Sequence, residues 1–203
     1  MLRSLTGCRP ERGVSSPWYY RYGVIFLLLW IAGPATAWSA AQPFIVHHAK
    51  TSLYSGVWLV SAQIDFNLSE AALEALDSGV DLTISLQFRI DRVRRFWPDK
   101  KTATLEQRFV LSYQPLTDRY VVRNLNSGEQ SSYATLYSAL GDLGRVVDLP
   151  IIDAALLDSN DRYIVSMRAV LDQNTLPGPL RLIAFWSSGF RLESDWYIWK
   201  LSA

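Results

Sequence analysis

The run from Val80 to Asp91 alternates without interruption. Val80, Leu82, Ile84, Leu86, Phe88 and Ile90 are apolar, and Asp81, Thr83, Ser85, Gln87, Arg89 and Asp91 are polar or charged. Successive side chains of a strand point to opposite faces, so a period of two describes a strand with one face on an apolar core. A strand of a parallel sheet is buried on both faces and reads as a continuous apolar run instead. The segment therefore predicts an antiparallel sheet whose second face, carrying Asp81 through Asp91, is wet.

The same period recurs twice. Trp58, Val60, Ala62, Ile64, Phe66 and Leu68 alternate with Ser61, Gln63, Asp65 and Asn67; Tyr163, Val165, Met167, Ala169 and Leu171 alternate with Arg162, Ser166, Arg168 and Asp172. On the last strand Arg168 and Asp172 share a face and are expected to pair across solvent, a contact worth ~0–1 kcal/mol. Ser69 reads as the N-cap of a short helix carrying Leu73 and Leu76 and stopped by Gly79. A charged turn from Arg92 to Lys101 leads to a partner strand with Leu105, Phe109, Leu111 and Tyr113. Pro115 to Asp118 turns again, into a strand at Tyr120-Val121-Val122. Ser131 or Ser132 is placed to cap a second helix, with Tyr133, Leu136, Tyr137 and Leu140 on one face and Gly141 or Gly144 ending it. Asp148 to Asp161 fits either a helix with Pro150 in its first turn or a loop. Leu176 to Pro179 must turn, because proline denies both helix and central strand. Leu180 to Trp186 and Phe190 to Leu201 read as the last strands. The sum is a mainly β fold, an antiparallel β-sandwich of about seven or eight strands with two short helices. With 49% hydrophobic and 19% charged residues, and 8 Trp and 10 Tyr to pack on pleated faces, the chain has material for one core.

The N-terminus has a different character. Basic residues ending at Arg21 precede the uncharged core Val24 to Ala32; Gly33-Pro34 breaks any helix, and Ala35-Thr36-Ala37 supplies the small-x-small pattern of a cleavage site. Residues 1–37 therefore read as a signal peptide, with a second possible cut after Ala41, and 38–203 as a single β-rich domain. The alternative is an uncleaved inner-membrane anchor, against which stands an apolar core well short of the ~20 residues a spanning helix needs. Either reading predicts a periplasmic location. Cys8, the only cysteine, precedes the apolar core, so neither a disulfide nor a lipid-modified cysteine is expected. Removing the leader's four arginines and one glutamate leaves 16 basic and 18 acidic residues. A domain so close to neutral lacks the positive field of a nucleic-acid binder.

Raw material for catalysis is scarce. The two histidines, His47 and His48, are adjacent; neighbours on a strand face opposite ways, and no further ligands accompany them, so no metal is expected. Without a third histidine or a cysteine beyond the leader, nucleophilic triads have no parts, and no phosphate loop or dinucleotide fingerprint is present. No catalytic residue and no cofactor is predicted. Paired carboxylates are the remaining route to a hydrolase, but Asp65, Asp81 and Asp91 fall on the wet side of their strands. Trp186, Trp196 and Trp199 are read as core or sheet-edge residues, with an aromatic cleft as the alternative. The candidate partner-binding feature is the turn carrying Arg92, Arg94, Arg95, Phe96 and Trp97, with Arg89, Lys100 and Lys101 around it. Arginine forks beside aromatic rings suit an acidic envelope protein or an anionic headgroup; the plainer reading is a solvated hairpin tip.

Four blocks in order carry a resemblance. They are Trp58 to Ala62 with Ala72 to Leu76 and Gly79-Val80; Arg92 to Asp99 with Leu111-Ser112-Tyr113; Arg162-Tyr163 through Met167-Arg168 and Leu171-Asp172 to Leu180; and Ser194-Asp195-Trp196. Together they resemble the exported bacterial family DUF4390, a domain of unknown function, over nearly all of the chain beyond the leader. The resemblance brings no activity, cofactor or site residues. Members of that family often sit beside a membrane sensor kinase, which implies an accessory role in envelope signalling or assembly. The expectation is an exported, non-enzymatic interaction domain; the alternatives are a membrane-anchored domain binding lipid or a membrane protein, and a carboxylate hydrolase.

Overall fold

The computed structural model describes residues 44–94, 99–179 and 188–202. The predicted leader, the tip residues Arg95, Phe96 and Trp97, and the predicted strand Leu180 to Trp186 lie outside these described residues.

Two antiparallel sheets form the fold. The smaller contains β1 (Phe44–Tyr54), β2 (Val57–Phe66) and β7 (Arg145–Asp153) in the order β1-β2-β7. The larger contains β3 (Leu82–Arg92), β4 (Lys100–Gln114), β5 (Arg119–Asn124), β6 (Gln130–Tyr133), β8 (Tyr163–Leu171) and β9 (Tyr197–Lys200), ordered β6-β5-β4-β3-β8-β9. Helices α1 (Glu70–Asp77) and α2 (Leu136–Leu143) connect them. The apolar half of each alternation faces inward: Val60 and Ile64 of one sheet share a buried cluster with Leu82, Ile84, Phe88 and Met167 of the other. Register builds this core in rows, with Ile84 between Phe109 and Leu171 and Phe88 between Leu105 and Met167. Each such side chain removed from water contributes about 1.5–3 kcal/mol. The sandwich read from the sequence is therefore present.

Local chemistry explains the connections. Ser55 and Gly56 both take positive φ, 49° and 82°, the geometry of a two-residue hairpin turn between Tyr54 and Val57. Ser69 Oγ accepts from Ala72 N, capping α1, which buries Ala72, Ala75 and Leu76. The cap of α2 is Thr135, accepting from Ser138 N, while Ser131 and Ser132 lie in β6. The predicted second helix thus starts later than the sequence suggested, and Tyr137 points to solvent while Ala139 and Leu143 are buried. At its end Gly144 touches β2: Ile64 N donates to Gly144 O at 2.9 Å, and a β-carbon on Gly144 would meet Ile64 O at 2.1 Å.

Three expectations are corrected. The segment around Pro150 is strand β7, neither helix nor plain loop; it tolerates proline because β7 is an edge strand, and two bulges against β2 obscure its period. Phe190 to Leu201 is no single strand but a short 3₁₀ turn, Ser188–Phe190, a lone bridge of Glu193 to Val170, and β9. Most consequentially, the polar face of β3 is only partly wet: Asp81 and Arg89 are exposed as expected and Gln87 is half-buried, but three residues are not. Thr83, Ser85 and Asp91 are 4%, 2% and 5% exposed. Because β3 is central, Ser85 lies between Arg108 and Val170, and Gln87 between Glu106 and Arg168, whose longer side chains roof the short ones.

Candidate functional site

The β3–β4 tip is held at its base. Arg92 Nε meets Asp161 Oδ2 at 2.7 Å, and Val93 N donates to Arg162 O at 2.8 Å, tying the arm to the loop before β8. Arg89 is likewise engaged, its guanidinium 3.1 Å from the buried Asp91 carboxylate. Beyond this anchor the described residues of the tip are mostly basic. Asp99 Oδ1 accepts from the backbone N–H of Arg94 at 3.1 Å, and Arg94, Lys100 and Lys101 are exposed with no ion pair among the described residues. Of the predicted set, then, Arg92 is structural, Arg94 is available, and Arg95, Phe96 and Trp97 lie outside the described residues.

The covered face of β3 forms a second candidate, which the sequence reading assigned to bulk water. A groove of about 540 Å³ runs over Ser85 and Gln87 of β3 and Glu106 and Arg108 of β4, walled by Asp172 to Asn174 and by Arg191 to Glu193. Glu106 accepts from Arg108 at 3.2 Å; that bond holds its carboxyl below the usual range, against the opposing effect of desolvation and with help from Ser85 and Gln87. Ser85 Oγ is buried beside Glu106, and its hydrogen bonding favours the carboxylate.

At one end of the groove a bulge turns the chain. Ala169 N donates to Ser194 Oγ at 3.0 Å, Ser194 N to Ala169 O at 2.9 Å, and Tyr197 resumes pairing opposite Met167. Trp196 meets two guanidiniums, Arg89 at 4.9 Å and Arg168 at 4.7 Å from its ring centroid. Such cation–π contacts contribute ~0.5–2 kcal/mol. Arg168 also donates to Gln87 at 2.9 Å and lies 3.6 Å from Glu193, which joins the clasp to the groove. The expected Arg168–Asp172 pair does not form: four residues of strand separate them by ~13 Å, and Asp172 instead accepts from Asn174 N. Nor do the tryptophans make a cleft. Trp199 packs on the core side, opposite Val165, while Trp196 lies on the outer face with Arg168, and Trp186 is outside the described residues.

His47, the bulged residue of β1, contacts Asp65 at 2.6 Å on the surface, and no group of three metal-ligating side chains occurs among the described residues. Asp65 and Asp142 line a further cleft of about 540 Å³ beside α2. Asp142 there accepts from Tyr133, whose phenol pKa is raised by burial and by that bond. Among the described residues no helix is long and apolar enough to cross a membrane.

The sequence pattern that defines DUF4390, a domain of unknown function, matches residues 41–200. The chain belongs to the DUF4390 family. Neither a curated protein nor a solved structure matches it. The blocks that carried the resemblance now have places in this DUF4390 domain: Trp58 to Ala62 in β2, Ala72 to Leu76 on α1, Tyr163 to Leu171 in β8, and Ser194-Asp195-Trp196 at the bulge. A signal for the groove was present in the alternation itself. Thr83, Ser85 and Gln87 are short or uncharged hydrogen-bonding residues, whereas a solvated strand face usually carries Lys and Glu.

Proposed function

We propose that this DUF4390 domain is exported and acts in the periplasm as a non-enzymatic interaction domain, an accessory to envelope signalling or assembly, that binds an acidic segment of an envelope protein through the β3–β4 tip. One observation carries the reading: Arg94, Lys100 and Lys101, with no ion pair among the described residues, stand on a hairpin whose base is fixed by Arg92–Asp161 and Val93–Arg162. A pre-positioned cluster loses less conformational freedom on binding than a floppy one, and unpaired cations steer an acidic partner. The adjoining Arg95, Phe96 and Trp97 add a guanidinium and two rings to the same turn in sequence. The leader, with its basic start, short apolar core and A-x-A site, supports export.

The test is in-cell crosslinking from the tip. Arg94→Glu with Arg95→Glu is expected to abolish the specific adduct while the unfolding temperature stays put. An undiminished adduct dismisses the tip, and charge-dependent capture by phosphatidylglycerol vesicles alone moves the reading to a membrane headgroup. A reporter fused behind residue 41 tests export separately.

Hydrolysis through carboxylates is the second reading, favoured by Asp65 and Asp142 lining one cleft. Both are already engaged, with His47 and Tyr133, and Glu106, the carboxyl with a clear shift, is held ionised rather than poised as a general acid.

A further inference from the structure

We infer that the acidic segment bound by the tip also carries apolar residues, and that these dock on the end of the sandwich beside the tip. The inference rests on the reading of the tip given above and specifies the partner it takes. Several connections meet at that end: the β1–β2 turn, the 3₁₀ turn Ala154–Leu156 after β7, the loop before β8 and the β3–β4 tip itself. Ala154 N donates to Gly56 O at 2.8 Å, Asp158 N to the Tyr163 hydroxyl at 3.1 Å, and Val93 N to Arg162 O at 2.8 Å. These bonds tie the connections together over the smaller apolar cluster of Ile90, Ile152, Tyr163 and Val165. The cluster is incompletely covered, because Trp58, Leu157 and Leu201, which pack against it, are only half-buried. Beside them Tyr54 and Leu156 are 71% and 74% exposed, Leu53 is exposed opposite Trp58, and Val93 is exposed at the foot of the tip. A lone apolar side chain on a surface needs no explanation. Here four adjoin a cluster that the fold leaves unsealed, and such a patch marks an interaction site.

Charge selects the occupant. Arg94, Lys100 and Lys101 of the tip, Arg162 of the loop before β8 and Lys200 of β9 are all exposed at this end, with no ion pair among the described residues. The carboxylates nearby are turned to the protein's own groups: Asp161 to Arg92, Asp99 to Arg94 N, Asp153 to Ala155 N and Asp158 to Asn160 N. An acidic segment therefore meets complementary charge, and apolar residues adjoining its acids take Tyr54 and Leu156 out of water. A wholly polar acidic segment leaves the apolar end wet, and a neutral apolar one desolvates cations without compensation. Apolar anchors beside a charged rim are the usual anatomy of a protein interface. An anionic bilayer also offers charge and hydrocarbon, but as a uniform plane it presses its phosphates on Asp99, Asp153 and Asp158 as well as on the cations. A peptide can set each acid opposite a cation alone.

The test places a photocrosslinking residue in the full chain, in cells, at Lys100, Tyr54 or Leu156, and at Tyr137 as a control on α2. The same protein adduct is expected from positions 100, 54 and 156 and not from 137. Fragmentation of the adducts should put the crosslinks on one segment in which Asp or Glu adjoins apolar residues. Tyr54→Ser with Leu156→Ser should cut the adduct from position 100 by roughly tenfold or more. The unfolding temperature should stay put, because both side chains already face solvent. If position 100 gives the adduct but positions 54 and 156 do not, or if the double variant leaves it undiminished, the inference falls while the reading of the tip stands. A captured segment lacking either acids or apolar residues, or an equal adduct from position 137, also overturns it. No adduct from position 100 removes the reading of the tip, and the inference with it. Capture by phosphatidylglycerol vesicles that the double variant loses assigns this end to a lipid surface and overturns the inference as well.

Discussion

Gly144 is where two backbones meet with no room for a side chain. A methyl group there would lie 2.1 Å from the Ile64 carbonyl oxygen, near the end of β2, so the helix end must shift or the strand must bend. Gly144→Ala is expected to cost about 2–3 kcal/mol in urea unfolding. Gly141, in the same helix, has open space about its Cα, and Gly141→Ala should stabilise by about 0.5–1 kcal/mol. Equal effects at the two glycines would refute the close approach. Glu106 makes a pH prediction. Its folded pKa is depressed by Arg108, so its contribution to stability is present above the ordinary carboxylate range and is lost as pH falls through the lower folded value. The stability difference between the native chain and Glu106→Gln should therefore shrink steadily on acidification. A difference independent of pH would mean that the pair does not matter.

Elements were legible in the sequence where their period was intact. The alternations of β2, β3 and β8 announced strands, faces and antiparallel sheet, and Ser69 announced α1. The strand β1 gave no such signal, because a bulge between Val46 and His48 breaks its period, and β7 hid behind Pro150 and two bulges. The cap of α2 was misplaced because Ser131 and Ser132 resemble Thr135 in chemistry, and only the pairing of β6 with β5 decides between them. Half of the tip was legible as a basic cluster. That Arg92 serves as its anchor depends on Asp161, far away in sequence, and so could not be read. The groove was signalled only in part, by the short or uncharged Thr83, Ser85 and Gln87, for a like reason: whether a polar strand face is wet depends on how long its neighbours' side chains are. At this scale Ser69→Ala and Thr135→Ala should each cost about 1 kcal/mol, as N-cap losses do. Ser194→Ala should cost about 1–3 kcal/mol by orphaning the Ala169 N–H, and hydrogen exchange at that amide should quicken; an unaltered rate would show that the bulge holds without Ser194.

For the molecule as a whole, two apolar clusters join the two sheets, a large one and a small one around Ile90, Ile152 and Val165. A chain beginning at Gln42 should accordingly unfold in a single transition, seen alike by near- and far-ultraviolet dichroism; two separated transitions would mean that the sheets are stable independently. Much of the pairing is distant in sequence, β3 with β8 and β2 with β7, so refolding should fall in the millisecond-to-second range of β-rich domains rather than the microseconds of helical bundles. The enclosed polar face of β3 has a last consequence, for assembly. If β3 slid by one residue against β4 and β8, Ser85 and Arg89 would be driven into hydrocarbon while Ile84 and Leu86 faced Arg108 and Glu106. Both surfaces of the central strand thus reject an offset partner, and the sheet proofreads its own alignment without outside help.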